Sequence, residues 1–101
     1  MNLLSKYIPT YSGHVQGIGY DEKKGTMEIV FFDRPEEFTP ILKLAFEGVT
    51  NLNEEQLDEP AENYIELIIG LDLWQGRYCL HTDLREINFN ATKVLSVVLK
   101  T

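Results

Sequence analysis

Few side chains in this sequence could do acid–base or nucleophilic chemistry: His14, His81, Asp83, Tyr78 and the single cysteine, Cys79. In "RYCLHTD" the residues His81 and Asp83 stand two apart, which on an extended strand puts them on one face and within reach of each other. His14 follows Gly13 at a turn. A hydrolase or nuclease brings such groups together in a cleft and neutralises the charge that develops in the transition state. Two histidines without a cluster of lysine or arginine make a poor phosphoryl-transfer site, so His81 and Asp83 read as a solvated surface pair. No catalytic residue is assigned.

Metal and phosphate sites fare no better. Cys79 and His81 share a strand face, but no CxxC or HxxxH pair supplies the third and fourth ligands that zinc requires. The glycines of "GHVQGIG" are not followed by the Lys-Ser/Thr of a phosphate loop, and they read as bulges or close approaches. No metal and no cofactor is expected. With one cysteine there is no intramolecular disulfide, and Cys79 reads as a small buried side chain within a strand.

Charge is the more informative property. The 101-residue chain carries a net charge of −7, and the segment from Leu44 to Gly76 holds eight of the sixteen acids and none of the nine bases. "NLNEEQLDEPAENYIEL" alone contributes Glu54, Glu55, Asp58, Glu59, Glu62 and Glu66. Nucleic-acid affinity comes from lysine and arginine, so direct binding to DNA, RNA or an anionic membrane is disfavoured and a basic protein partner is favoured. The N-terminus lacks the apolar run of a signal peptide, and no stretch approaches the roughly 18 apolar residues of a membrane span. The expectation is a cytoplasmic protein, monomeric or weakly dimeric.

The elements that position these residues follow from period-two alternation. At 44% apolar and 25% charged, residues 1–101 suit one folded domain. Asn2 to Tyr7 is compatible with a short helix or an edge strand. "GHVQGIGYD" and "KKGTMEIVFFD" flank the polar turn Asp21 to Gly25 and read as a hairpin. "RPEEFTP" closes the second strand with two prolines. "ILKLAFEGV" puts Leu42, Leu44 and Phe46 on one face, with Gly48 as a bulge or the turn out. Asn53 with Gln56 fits a helix cap, giving one or two helical turns that Pro60 limits. "NYIELIIGLDLW" alternates over twelve residues, roughly 40 Å at about 3.3 Å each, so a bend near Gly70 is expected. A turn at Gln75-Gly76 and the runs "RYCLHTD", "EINFNA" and "KVLSVVL" complete the chain. The fold class is mainly β: about seven antiparallel strands in a meander curled into a sandwich or half-barrel, with at most one or two short helices.

On the long strand, Trp74 stands beside a turn and shares its face with Asp72, Glu66 and Tyr64. A tryptophan and a tyrosine set among carboxylates is the type of surface that anchors a protein partner. Together with the acids of the preceding stretch, these residues form the candidate partner-binding set: Glu54, Glu55, Asp58, Glu59, Glu62, Tyr64, Glu66, Asp72 and Trp74.

Ile18, Tyr20 and Asp21 at the end of the first strand, the following hairpin, and Phe46 to Val49 ("FEGV") before an acidic loop resemble the immunity protein 50 family. Its members belong to bacterial polymorphic-toxin and contact-dependent inhibition systems. The resemblance covers roughly Val15 to Leu73. It implies a non-catalytic protein that binds and neutralises a cognate toxin domain in the cell that makes both. Such toxins are frequently nucleases with basic surfaces, which an acidic inhibitor would match. The residues themselves leave two alternatives open: a β domain that binds a ligand or assembly partner, and an enzyme built on His81 and Asp83.

Overall fold

Alternation becomes architecture in a computed structural model that describes residues 14–32 and 40–99. The first hairpin joins β1 (His14–Asp21) to β2 (Thr26–Phe32). Asp21 Oδ1 accepts from the backbone N–H groups of Lys23 (3.0 Å) and Lys24 (3.1 Å), a local bond that fixes the turn. β3 (Pro40–Glu47) lies antiparallel to β2, with Met27 opposite Phe46 and Ile29 opposite Leu44. Five more strands follow: β4 (Thr50–Gln56), β5 (Ile68–Trp74), β6 (Arg77–Thr82), β7 (Arg85–Asn90) and β8 (Lys93–Val98). All described elements are strands, and every pairing is antiparallel.

The eight strands form two four-stranded sheets, in the orders β1-β2-β3-β8 and β4-β7-β6-β5. In the second sheet the meander β5-β6-β7 is flanked on its far side by β4, a Greek-key order. The inner faces pack against each other as a sandwich. Met27, Ile29, Phe31, Leu42, Leu44 and Phe46 come from the first sheet, and Leu71, Tyr78, Leu80, Ile87 and Phe89 from the second. Phe46 meets Phe89 (centroids 4.9 Å) and Tyr78 (5.4 Å) edge-on, joining the sheets through aromatic contacts.

The sheets are joined covalently at one corner. β3 runs through Gly48 and Val49 into β4, while β7 runs through Ala91 and Thr92 into β8, so two paired strands cross together from sheet to sheet. Gly48 turns the corner at φ +65°, and Thr92 spans it, its N–H (2.9 Å) and hydroxyl (3.2 Å) both donating to Glu47 C=O. At the opposite side β1 and the approach to β5 touch through one bridge, His14 to Leu67, and through Val15 N–H to Glu66 C=O (2.8 Å). That contact does not close a barrel.

Several expectations fail locally. The helix expected at Asn53 to Gln56 is strand β4, because Asn53 through Gln56 pair residue by residue with Asn88 through Arg85. The long strand starts only at Ile68; residues 57–67 are a loop that ends in the His14–Leu67 bridge. Near Gly70, where a bend is expected, the pairing register shifts between Ile68 and Gly70. Gln75 (φ 50°) and Gly76 (φ 79°) make the tight turn that left-handed backbone requires. Asn2 to Tyr7 and the "RPEEFT" segment lie outside the described residues.

Candidate functional site

The outer face of the second sheet is assembled by register. Across β5, β6, β7 and β4, one row reads Gly70, His81, Glu86, Glu55, and the next reads Asp72, Cys79, Asn88, Asn53. A third reads Trp74, Arg77, Asn90, Thr50. Apart from Gly70, Cys79 and Trp74 these positions are polar, and they carry Glu55, Glu86 and Asp72. Glu55 stands directly opposite Glu86, an arrangement of like charges that costs a sheet stability. Arg77 is the cation of this face, and it is engaged at one end, donating to Asn90 Oδ1 (2.8 Å) and Asn51 C=O (2.9 Å).

Cys79 reports the negative field of this face. Its thiol donates to Glu86 Oε1 (3.4 Å) and is pushed up to about 11 by burial, by that bond, and by the charges of Glu86 and Asp72. At neutral pH it is a thiol, not a thiolate, which disfavours a nucleophilic role. His81 faces Glu86 (Nδ1–Oε2 3.8 Å) rather than Asp83. The strand ends at Thr82, so Asp83 has left the face the two were expected to share. Among the described residues no three His, Cys, Asp or Glu side chains are placed to hold a metal ion.

The acidic loop borders this face. Asp83 fastens it, its carboxylate accepting from Tyr64 hydroxyl and from Leu67 N–H (3.1 Å), while Asp83 N–H donates to Leu67 C=O (3.1 Å). The bond to Asp83 holds the Tyr64 phenol above its ordinary value. A cleft of about 270 Å³ lies between the loop and the end of β6, lined by Asp58, Glu59, Pro60, Ala61, Tyr64, Asp83 and Leu84. A second, of about 110 Å³, adjoins it between Glu54, Gln56, Pro60, Leu84 and Arg85.

The nine residues expected to contact a partner divide into three groups. Glu55, Asp58, Glu59 and Glu62 are exposed, with no cation in contact among the described residues. Tyr64, Asp72 and Trp74 are exposed as well, Trp74 at 73%. Leu67, Ile69 and Leu73 extend that apolar edge along β5 and its approach.

Glu66 is a correction. It is 8% exposed, and its carboxylate takes both Arg85 Nε and Nη2 at 2.9 Å and the Thr82 hydroxyl. It is a structural acid that holds the loop to β7. Glu54 is intermediate in role, exposed yet 3.3 Å from Arg85 Nη1. Burial works to lower the Arg85 pKa, but bonding to Glu66 and then to Glu54 raises it overall.

Glu86, Asn88 and Asn53 were missed as members of the face. The alternation in "REINFN" marks Glu86 and Asn88 as outward, but only the pairing of β4 with β7 sets Glu55 and Asn53 beside them. The chain matches no protein-family model, no curated protein and no solved structure.

Proposed function

We propose that this protein is a non-catalytic, immunity-type inhibitor that neutralises a basic toxin domain by docking the outer face of its second sheet and the adjoining acidic loop on it. The observation that carries this reading is the direct opposition of Glu55 and Glu86, with Asp72 on the same face and exposed loop acids at its border. Folding alone gains nothing from like charges set face to face. A partner's lysines and arginines would relieve them, and the same field would speed encounter. Trp74 and the apolar edge of β5 supply the desolvated anchor that charge alone does not. The protein would act in the cytoplasm of the cell that makes the toxin.

The test pairs the chain with the domain encoded by the adjacent reading frame, with cell survival and stopped-flow association as readouts. Reversal of Glu55, Asp58, Glu59 and Glu62 to lysine should slow association and remove most of its salt dependence. Glu54 stays untouched because a lysine there would face Arg85. Trp74→Ala should raise the dissociation rate and leave the salt dependence as it was. Equal association by the four-fold reversal and the wild type at low salt would defeat the reading.

A further inference from the structure

We infer that the outer edge of β4 accepts an extended basic segment of the partner as an added strand, an inference that rests on the acidic-surface reading above. Leu57 N–H donates to Leu84 C=O (2.8 Å), and the register runs unbroken from Asn53–Asn88 to Gln56–Arg85. Backbone groups alternate between the two sides of an antiparallel strand. Asn53, Glu55 and Leu57 therefore direct N–H and C=O at β7, while Glu54 and Gln56 direct theirs away from it. Among the described residues no strand lies on that side of β4.

Charge selects the occupant. Exposed edges are commonly blunted by lysine, by proline or by a covering element. The seven residues of β4 contain neither lysine nor proline, and the acids Glu54 and Glu55 are followed by Asp58 and Glu59 just beyond the strand. A second copy of the chain would oppose these acids with its own. A strand that alternates lysine or arginine with β-branched residues meets them with cations instead, Glu55 being the nearest acid with no cation in contact among the described residues. The other outer edge, β8, has the opposite character: Lys93 and the outward apolar side chains Leu95 and Val97, with no acid. The edges of β1 and β5 are partly joined by the His14–Leu67 bridge. Among the sheet edges, β4 thus combines open backbone groups with one sign of charge, and strand addition is the recognition mode that uses both.

The experiment titrates the intact, isotope-labelled chain with a capped peptide that alternates lysine with valine, reading amide exchange by NMR. The Glu54 and Gln56 amides should become protected. Gln56→Pro removes an outward donor without changing charge and should weaken binding about tenfold; Gln56→Ala, which keeps that donor, should bind more tightly than the proline variant. A peptide N-methylated at its valines has the same charge but no edge donors and should lose binding to a similar degree. This arm decides the matter if the proline variant does not fold. Equal binding by the methylated peptide, or shifts confined to residues 57–66 without protection of Glu54 and Gln56, overturns strand addition and leaves the acidic-surface reading standing. Failure of both peptides to bind at low salt defeats the two together. Protection that appears without peptide and grows with protein concentration assigns the edge to a second copy and overturns the proposal.

Discussion

Gly48→Ala tests the corner on which both sheets depend. Gly48 adopts φ +65°, and left-handed backbone costs a residue with a Cβ roughly 1–2 kcal/mol. The new Cβ would also overlap Thr92 Oγ1 and stand 2.9 Å from its Cγ2. Thr92 is exposed and can rotate away, but rotation forfeits the hydroxyl bond to Glu47 C=O, a further loss of about 0.5–1.5 kcal/mol. The two contributions sum to about 1.5–3.5 kcal/mol, which at a urea m-value of about 1–1.5 kcal/mol/M lowers the unfolding midpoint by about 1–3.5 M. A double-mutant cycle separates them. In the Thr92→Ala background the overlap with Oγ1 and Cγ2 has gone and only the 3.1 Å contact with the Cβ stays, so Gly48→Ala should there cost mainly the backbone share of about 1–2 kcal/mol. Urea unfolding followed by circular dichroism and by Trp74 fluorescence gives all four stabilities. If Gly48→Ala lies within about 0.5 kcal/mol of wild type, the corner is not strained in the way described.

Arg85→Ala leaves the buried Glu66 carboxylate without its cation and should cost about 2–3 kcal/mol, a figure reduced for the partial exposure of the guanidinium. Glu54→Ala removes only an exposed pair and should cost less than about 0.5 kcal/mol; equal losses in urea would contradict the division of roles between the two acids. Asp83→Ala frees Tyr64 hydroxyl and Leu67 N–H together, so limited proteolysis within residues 57–66 should accelerate; unchanged cutting would mean that Asp83 does not fasten the loop. The Cys79 thiol has a folded value raised from about 9.0 to about 11, so its contribution is complete below pH 9 and lost as pH rises toward 11. Wild type should therefore lose more stability than Cys79→Ala between pH 8.5 and about 11, and Cys79 should react slowly with a thiol reagent at pH 8; parallel pH profiles would count against the field described around Cys79.

Much of the fold is legible in the residues because it is locally encoded. Met27-Ile29-Phe31 and Leu42-Leu44-Phe46 alternate cleanly, and those six side chains are among the most buried in the molecule. Gln75-Gly76 has the left-handed geometry that a two-residue turn demands. β4 was illegible for a physical reason. It is an edge strand whose only partly buried side chain is Leu52, so no alternation marks it, and its extended state comes from β7, whose paired residues lie 29 to 40 positions further on. The cap-like spacing of Asn53 and Gln56 was a local signal that tertiary pairing overrode. Glu66 failed in the same way: its partner, Arg85, lies 19 residues further on, and the acid-rich segment is free of bases only along the chain. The exposed acids Glu55, Asp58, Glu59 and Glu62 could be read directly, since a carboxylate without a cation stays in water.

The ribbon that crosses the corner has a consequence for the order in which the molecule is made. β3 takes its second neighbour from β8, and β4 pairs with β7 alone among the described strands, so residues 42–56 wait for residues 85–98. A growing chain can form the β1-β2-β3 meander early, but the sheet that opposes Phe31, Leu44 and Phe46 is not complete until β5, β6 and β7 have emerged. Loop-closure entropy must be met before those distant pairings stabilise anything, which places such topologies in the millisecond-to-second range of folding. Under the proposed function, an unfinished chain gives no partial protection. On that proposal, protection would wait for the last part of the chain, because the acidic face is complete only when β7 arrives to hold Glu86 against Glu55.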